Sequence, residues 1–146
     1  MTPQNINDAG LKLIEEFEGL RLTAYNDGGG VWTIGYGHTK GVKRGQTISR
    51  DQAEQFLRED VSDAEAAVNR LALKLSANQF SALVSFTFNL GAGGLQKLVS
   101  HGFENIAERM LLFDHDNGKR IAGLTRRRQA ERALFLAADA PDNEKP

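Results

Sequence analysis

The sequence predicts an α+β protein: one helix, a small antiparallel sheet, then a mainly helical lobe, with a cleft between the sheet lobe and the helical lobe. Three observations predict it. Apolar residues recur at helical spacing over residues 7–17 and again beyond residue 50. Between them, residues 20–47 change to glycines, aromatics and β-branched residues. Residues 80–90, FSALVSFTFNL, are apolar on nearly every side, as a buried central helix must be.

In the first helix Leu11, Ile14 and Phe17 share a face, and Gly19 stops it. Tyr25, Val31, Trp32, Thr33, Ile34 and Tyr36 favour strands, with glycines turning the chain between them. Ser49 and Gln52 have capping-box spacing and open a helix over 50–70. Its stripe is Ala53, Phe56, Leu57, Asp60, Val61, Ala64, Val68 and Leu71, with Asp60 the one charge in it. Ser76 and Gln79 repeat the box before the central helix, which Gly91, Gly93 and Gly94 break. Residues 95–113 predict one or two short helices interrupted near Gly102, and DHDNG over 114–118 predicts a turn. Thr125 is expected to cap a last helix with Ala130, Ala133, Leu134 and Ala137 inward. Residues 1–138 read as a single domain and 139–146 as a frayed tail.

Composition narrows the function. A net charge of −1 over 146 residues carries no bulk signature for nucleic acid. No cysteine is present, which excludes disulfides and thiolate chemistry; a lone histidine in a turn is no evidence for a metal, so neither metal nor cofactor is expected. The start, MTPQNINDAG, lacks the basic and apolar regions of a signal peptide, and no stretch is apolar enough to span a bilayer.

The chemistry concentrates in EGLRLTAYNDGGGVWTIGYGHTKG, residues 18–41. Glu18 and Asp27 are eight residues apart, and Thr33 follows after five more. Glu18 stands at a helix C-terminus, facing the negative pole of the macrodipole with Glu15 and Glu16 nearby, which disfavours its ionised form. Asp27 sits in a turn whose backbone N–H groups favour the ionised form. Two carboxylates in opposed environments suit glycoside hydrolysis. The same residues also read as a solvated helix end and a turn former.

This stretch resembles the phage-type lysozymes, glycoside hydrolase family 24, in Glu18-Gly19-Leu20, Ala24-Tyr25, Asp27, Gly30 and Trp32-Thr33-Ile34-Gly35-Tyr36-Gly37-His38-Thr39. A weaker likeness runs on through DQAEQFLREDV, ALVSFTFNLG and GLTRRRQAERALF. The resemblance implies a lysozyme-like fold and a peptidoglycan substrate, the β-1,4 bond between N-acetylmuramic acid and N-acetylglucosamine. It implies that Glu18 is the general acid, that Asp27 orients or deprotonates a water on the opposite face of the sugar, and that Thr33 helps hold that water, with inversion at the anomeric carbon. It implies substrate binding by Phe88 and Asn89, Asn89 having a plain alternative as a helix cap. It pairs His38 with Asp60 for structure, not chemistry. It brings one of Arg126, Arg127 and Arg128 to the cleft near Glu18, with the others facing solvent. Between Gly94 and Leu124 the chain departs from the family, which often has a longer helix there and a tryptophan where Phe113 falls.

Two other functions compete. Lys119, Arg120, Arg126, Arg127, Arg128 and Arg132 are opposed only by Glu131 across fourteen residues, so the last helix could contact membranes and disrupt them. A lytic transglycosylase would use Glu18 but has no need of Asp27. The favoured expectation is a monomeric endolysin, made in a host cytoplasm and acting on the wall in the periplasm after release by a holin-type partner.

Overall fold

In the computed structural model, which describes residues 2–139, helix α1 spans Asp8–Glu18 and is followed by Gly19 at φ 75°. Strand β1 (Arg21–Asn26) pairs antiparallel with β2 (Trp32–Gly35), with Tyr25 opposite Thr33 and Asn26 opposite Trp32. On the other edge of β1, Ala24 donates to the Gln46 carbonyl at 2.8 Å and Ile48 to that of Leu22 at 2.9 Å. The sheet is therefore small and irregular, as expected. The chain sorts into two compact units, one being Ile14–Asp63 and the other joining the stretches on either side of it.

Within Ile14–Asp63, helix α2 (Arg50–Asp60) packs against β2. Ile14, Ile34, Ala53, Leu57 and Val61 are buried there. Ser49 caps α2, its hydroxyl accepting from Gln52 N–H at 3.1 Å. The helix expected over 50–70 is in fact two, because α2 ends at Val61 and α3 runs Ser62–Arg70. The Ser62 hydroxyl donates to the Glu59 carbonyl at 2.8 Å, and such a bond competes with the helical ladder.

In the other unit, α4 (Ala77–Val99) carries a full capping box at Ser76 and Gln79. Asp139 adds two bonds to the same end, accepting from Ala77 N–H at 2.9 Å and Asn78 N–H at 2.8 Å. The rest of the expected tail, residues 140–146, lies outside the described residues. From Phe80 to Thr87 every residue of α4 is buried. The helix kinks at Gly91 alone, where φ 80° and ψ 172° leave the helical region; Gly93 and Gly94 stay within the helix, contrary to expectation. Gly10 of α1 lies so close to α4 that a Cβ on it would stand 2.8 Å from Ser81 Cβ.

A short 3-10 turn at Phe103–Asn105 leads into α5 (Ile106–Met110). The turn expected over 114–118 is the tip of a hairpin, β3 (His115–Asp116) with β4 (Lys119–Arg120). Asn117 at φ 51° and Gly118 at φ 77° give it the primed geometry that an Asn-Gly pair favours.

Helix α6 spans Ala122–Leu136 and packs on α4 and α5. Thr125 is not its cap: Ile121 holds that position with no side-chain bond. Thr125 lies inside the helix and donates to Asp114 Oδ2 at 2.7 Å, while Arg120 Nε donates to the same oxygen at 2.9 Å. These bonds hold the Asp114 carboxyl below the usual carboxylate range. The buried face of α6 is also not the expected alanines and Leu134 but Arg127, Arg128, Glu131 and Phe135. Burial of these charges is possible because they are opposed and adjacent on one face. Among the described residues no helix is long and apolar enough to cross a membrane.

Candidate active site

Glu18 is the last residue of α1, and Gly37 lies directly against it. A Cβ on Gly37 would stand 3.1 Å from Glu18 Oε1, and Gly37 has φ 83°, so both space and backbone require glycine there. The approach is made by a tight turn in which Ile34 and His38 exchange backbone bonds of 2.9 Å each.

Asp27 builds the turn after β1. Its Oδ1 accepts from Gly29 N–H at 2.8 Å and more weakly from Val31 N–H at 3.4 Å. These bonds fix the carboxylate while the residue stays exposed. Thr33 is buried on β2, and its hydroxyl donates at 3.4 Å to the Val31 carbonyl. Asp27 N–H donates to that same carbonyl at 3.3 Å, so Asp27 and Thr33 meet around Val31. Glu18, Asp27 and Thr33 all belong to the Ile14–Asp63 unit.

His38 is buried, with Nδ1 2.8 Å from Asp60 Oδ2. Phe56 stacks on its ring at 4.1 Å between centroids. Sequence reasoning missed an acidic cluster in the same unit. Glu15 shares a hydrogen bond with Glu54 and another with the Tyr36 hydroxyl. Burial, then the bond and charge of Glu54, push Glu15 from its ordinary 4.5 up to about 7, against Tyr36 and Arg58. The only sequence signal was the position of Glu15, one helical turn before Glu18.

That cluster carries a pH prediction. Below about pH 4.5 Glu15 is protonated in folded and unfolded chains alike. Above that the unfolded chain loses the proton first, so folding is increasingly penalised until about pH 7, where the penalty is complete. Glu15→Gln removes it. Urea unfolding should show the variant more stable than wild type by about 1 kcal/mol at pH 8, after allowance for solvent screening, and equal to it near pH 4. A variant less stable at pH 8 would contradict the assignment.

Phe88 and Asn89, both half-buried, stand on the last turn of α4 before the Gly91 kink. Asn89 Oδ1 accepts from Arg128 Nη2 at 2.6 Å, so its side chain bonds α6 instead of capping a helix. Arg127 and Arg128 are both buried; of the three consecutive arginines only Arg126 is exposed, where two had been expected to face solvent. Glu131 joins the buried pair, accepting from Ser85 Oγ at 2.6 Å and Arg127 Nε at 3.2 Å, with Arg128 Nε 3.0 Å from its other oxygen. Arg132 pairs with Glu108, and Arg120 with Asp114. Four of the six basic residues thus have acidic partners, while Lys119 and Arg126 stay exposed, which weakens the cationic stripe that a membrane helix needs.

The family described as phage lysozyme matches residues 15–131. An endolysin of Acyrthosiphon pisum secondary endosymbiont phage 1 is 40% identical over 145 residues, covering 92% of this chain and 99% of that protein. Among solved structures, the muramidase domain of SpmX from Asticaccaulis excentricus is similar with a TM-score of 0.83 and 38% identity, over 92% of this chain and 99% of that one. The active form of the P1 phage endolysin Lyz has a TM-score of 0.81 and 30% identity, over 90% and 84%.

Proposed function

Starting from the fact that the chain belongs to the phage lysozyme family of peptidoglycan-degrading endolysins, we propose that it is an inverting muramidase. The bond cut is the β-1,4 link between N-acetylmuramic acid and N-acetylglucosamine. The observation that carries this reading is the Asp27 turn. One carboxylate oxygen is tied to the loop, and Thr33 is anchored to the same Val31 carbonyl. Such a carboxylate is held to orient a water, not to swing onto the sugar.

Glu18 donates its proton to the glycosidic oxygen as the bond from the muramic acid C1 breaks. A water attacks C1 from the opposite face and Asp27 takes its proton. Inversion needs the two carboxyl groups about 6.5–9.5 Å apart, to admit that water. Thr33 orients the same water, and Phe88 and Asn89 bind the glycan. His38 and Asp60, with Phe56 stacked above, hold the turn that carries Gly37 against Glu18. The name muramidase borne by the SpmX domain supports the bond chosen.

Digestion of purified peptidoglycan tests the proposal. Mass spectrometry should find hydrated muramic acid ends, and proton NMR should find the α-anomer first, before mutarotation. Anhydro ends would make the enzyme a transglycosylase. First release of the β-anomer would mean retention and would remove the water-holding role of Thr33.

A further inference from the structure

Gly37 reaches Glu18 from a turn that is tied down on both sides. His38, on one side, meets Asp60 of α2 through Nδ1 at 2.8 Å. Tyr36, on the other, is buried, and its hydroxyl donates to Glu15 of α1, which in turn bonds Glu54 of α2. Glu15 and Glu18 lie three residues apart on α1, so they share a face and stand one turn from each other. One carboxyl thus anchors the strand side of the turn and neighbours Glu18.

Only one protonation state completes this chain. With a proton on Glu15, its O–H donates to the Glu54 carboxylate and its other oxygen accepts from Tyr36. With both carboxyls ionised no hydrogen lies between them, and two like charges repel. Burial, then the charges of Glu15 and Glu54, push the Tyr36 hydroxyl up, so it remains a donor. The other charges that face the chain are Arg58, which draws Glu15 toward the ionised form, and Arg50, which acts on Tyr36. Burial and Glu54 outweigh Arg58, and Glu15 keeps its proton up to about pH 7.

We propose that Glu15, through Tyr36, is a positioning residue that sets Gly37 against Glu18, and that the proton it shares with Glu54 switches Glu18 between a seated and a loosened state. The inference rests on the muramidase reading, in which Glu18 is the acid, and adds its regulation. A Cβ on Gly37 would stand 3.1 Å from Glu18 Oε1, so the backbone there touches the side chain that must deliver a proton. When the bond between Glu15 and Glu54 fails, α1 and α2 are no longer joined at this point. The Tyr36 side of the turn then loses its hold, while the His38 side keeps its own. The enzyme is therefore most active on the acid side of neutrality and is damped above it.

The test follows kcat on purified peptidoglycan at about pH 5.5 and about pH 8, on either side of the value near which Glu15 loses its proton, about 7. The readout is the ratio of the two activities in each protein, with circular dichroism to show that each is folded at both. In wild type kcat at the higher pH should be lower by about tenfold or more, since a reacting group misplaced by about 1 Å loses up to about 10²-fold. Glu15→Gln mimics the protonated state at every pH: its NH2 donates to Glu54 and its oxygen accepts from Tyr36. The variant should hold at least about fivefold more of its activity at the higher pH than wild type does. Any decline from Glu18 itself is common to both proteins, so the difference between the ratios belongs to Glu15. Glu54→Gln reaches the same end from the other side, because its NH2 donates to an ionised Glu15. Tyr36→Phe cuts the chain, and adding Glu15→Gln to it should restore nothing. If Glu15 acted on Glu18 by charge alone, Glu15→Gln would lose activity at lower pH than wild type, the opposite direction. That result overturns the inference, and so does a ratio equal to that of wild type. A wild type that cuts no glycan at either pH overturns the muramidase reading itself.

Discussion

Glu18→Gln should lower kcat for glycan cleavage by about 10²–10⁴-fold, to the limit of detection in most assays. The substitution is nearly isosteric, so the seat that Gly37 leaves for the side chain stays filled. What disappears is the proton: an amide cannot protonate the leaving oxygen at any pH where the enzyme works. The measurement is release of reducing ends from purified peptidoglycan, with far-UV circular dichroism to show that the helices remain. Activity within tenfold of wild type would remove Glu18 from the mechanism. A variant that lysed intact cells while leaving purified glycan uncut would instead revive the membrane-active reading.

The local placement of Glu18, Asp27 and Gly37 was legible because each makes demands on the backbone beside it. A helix ending at Glu18, a turn built on Asp27 and a glycine against a carboxylate leave marks in consecutive residues. Ser76 and Gln79 were legible in the same way, since a capping box is closed within four residues. What escaped depends on partners far along the chain. Two of the three consecutive arginines were expected in solvent, because nothing local reveals that Ser85 and Asn89 on another helix will bond Arg127, Arg128 and Glu131. Thr125 read as a cap because its true partner, Asp114, lies eleven residues back. The Ser62 break escaped for a different reason. A serine inside an amphipathic pattern is ordinarily tolerated, and only its bond to the Glu59 carbonyl shows that it divides α2 from α3. The acidic pair of Glu15 and Glu54 likewise joins α1 to α2, so helix periodicity placed each residue but not the contact.

The buried charges of α6 supply the largest expected effect on stability. Glu131 is completely buried and lies between two guanidinium groups, those of Arg127 and Arg128, that are themselves buried. Burial pushes its carboxyl above the usual range and the Arg128 guanidinium below its own, while the mutual attraction opposes both. Glu131→Gln keeps the volume and one acceptor but removes the charge. It also turns an NH2 group toward donors that cannot accept from it, and the two cations then repel each other without compensation. The loss should be about 3 kcal/mol or more, the usual cost of breaking a buried pair from one side. For a chain of this size that is a fall in Tm of roughly 10 °C. Arg132→Ala makes the control. Its partner Glu108 is 70% exposed, so the same removal of an ion pair on the same helix should cost under about 1 kcal/mol. Thermal and urea unfolding of the three proteins at pH 7 decide the matter. If Glu131→Gln melts within a degree or two of wild type, the network contributes nothing net to stability. The burial of Arg128 would then have to be explained by its bond to Asn89 and its contact with the Phe86 ring.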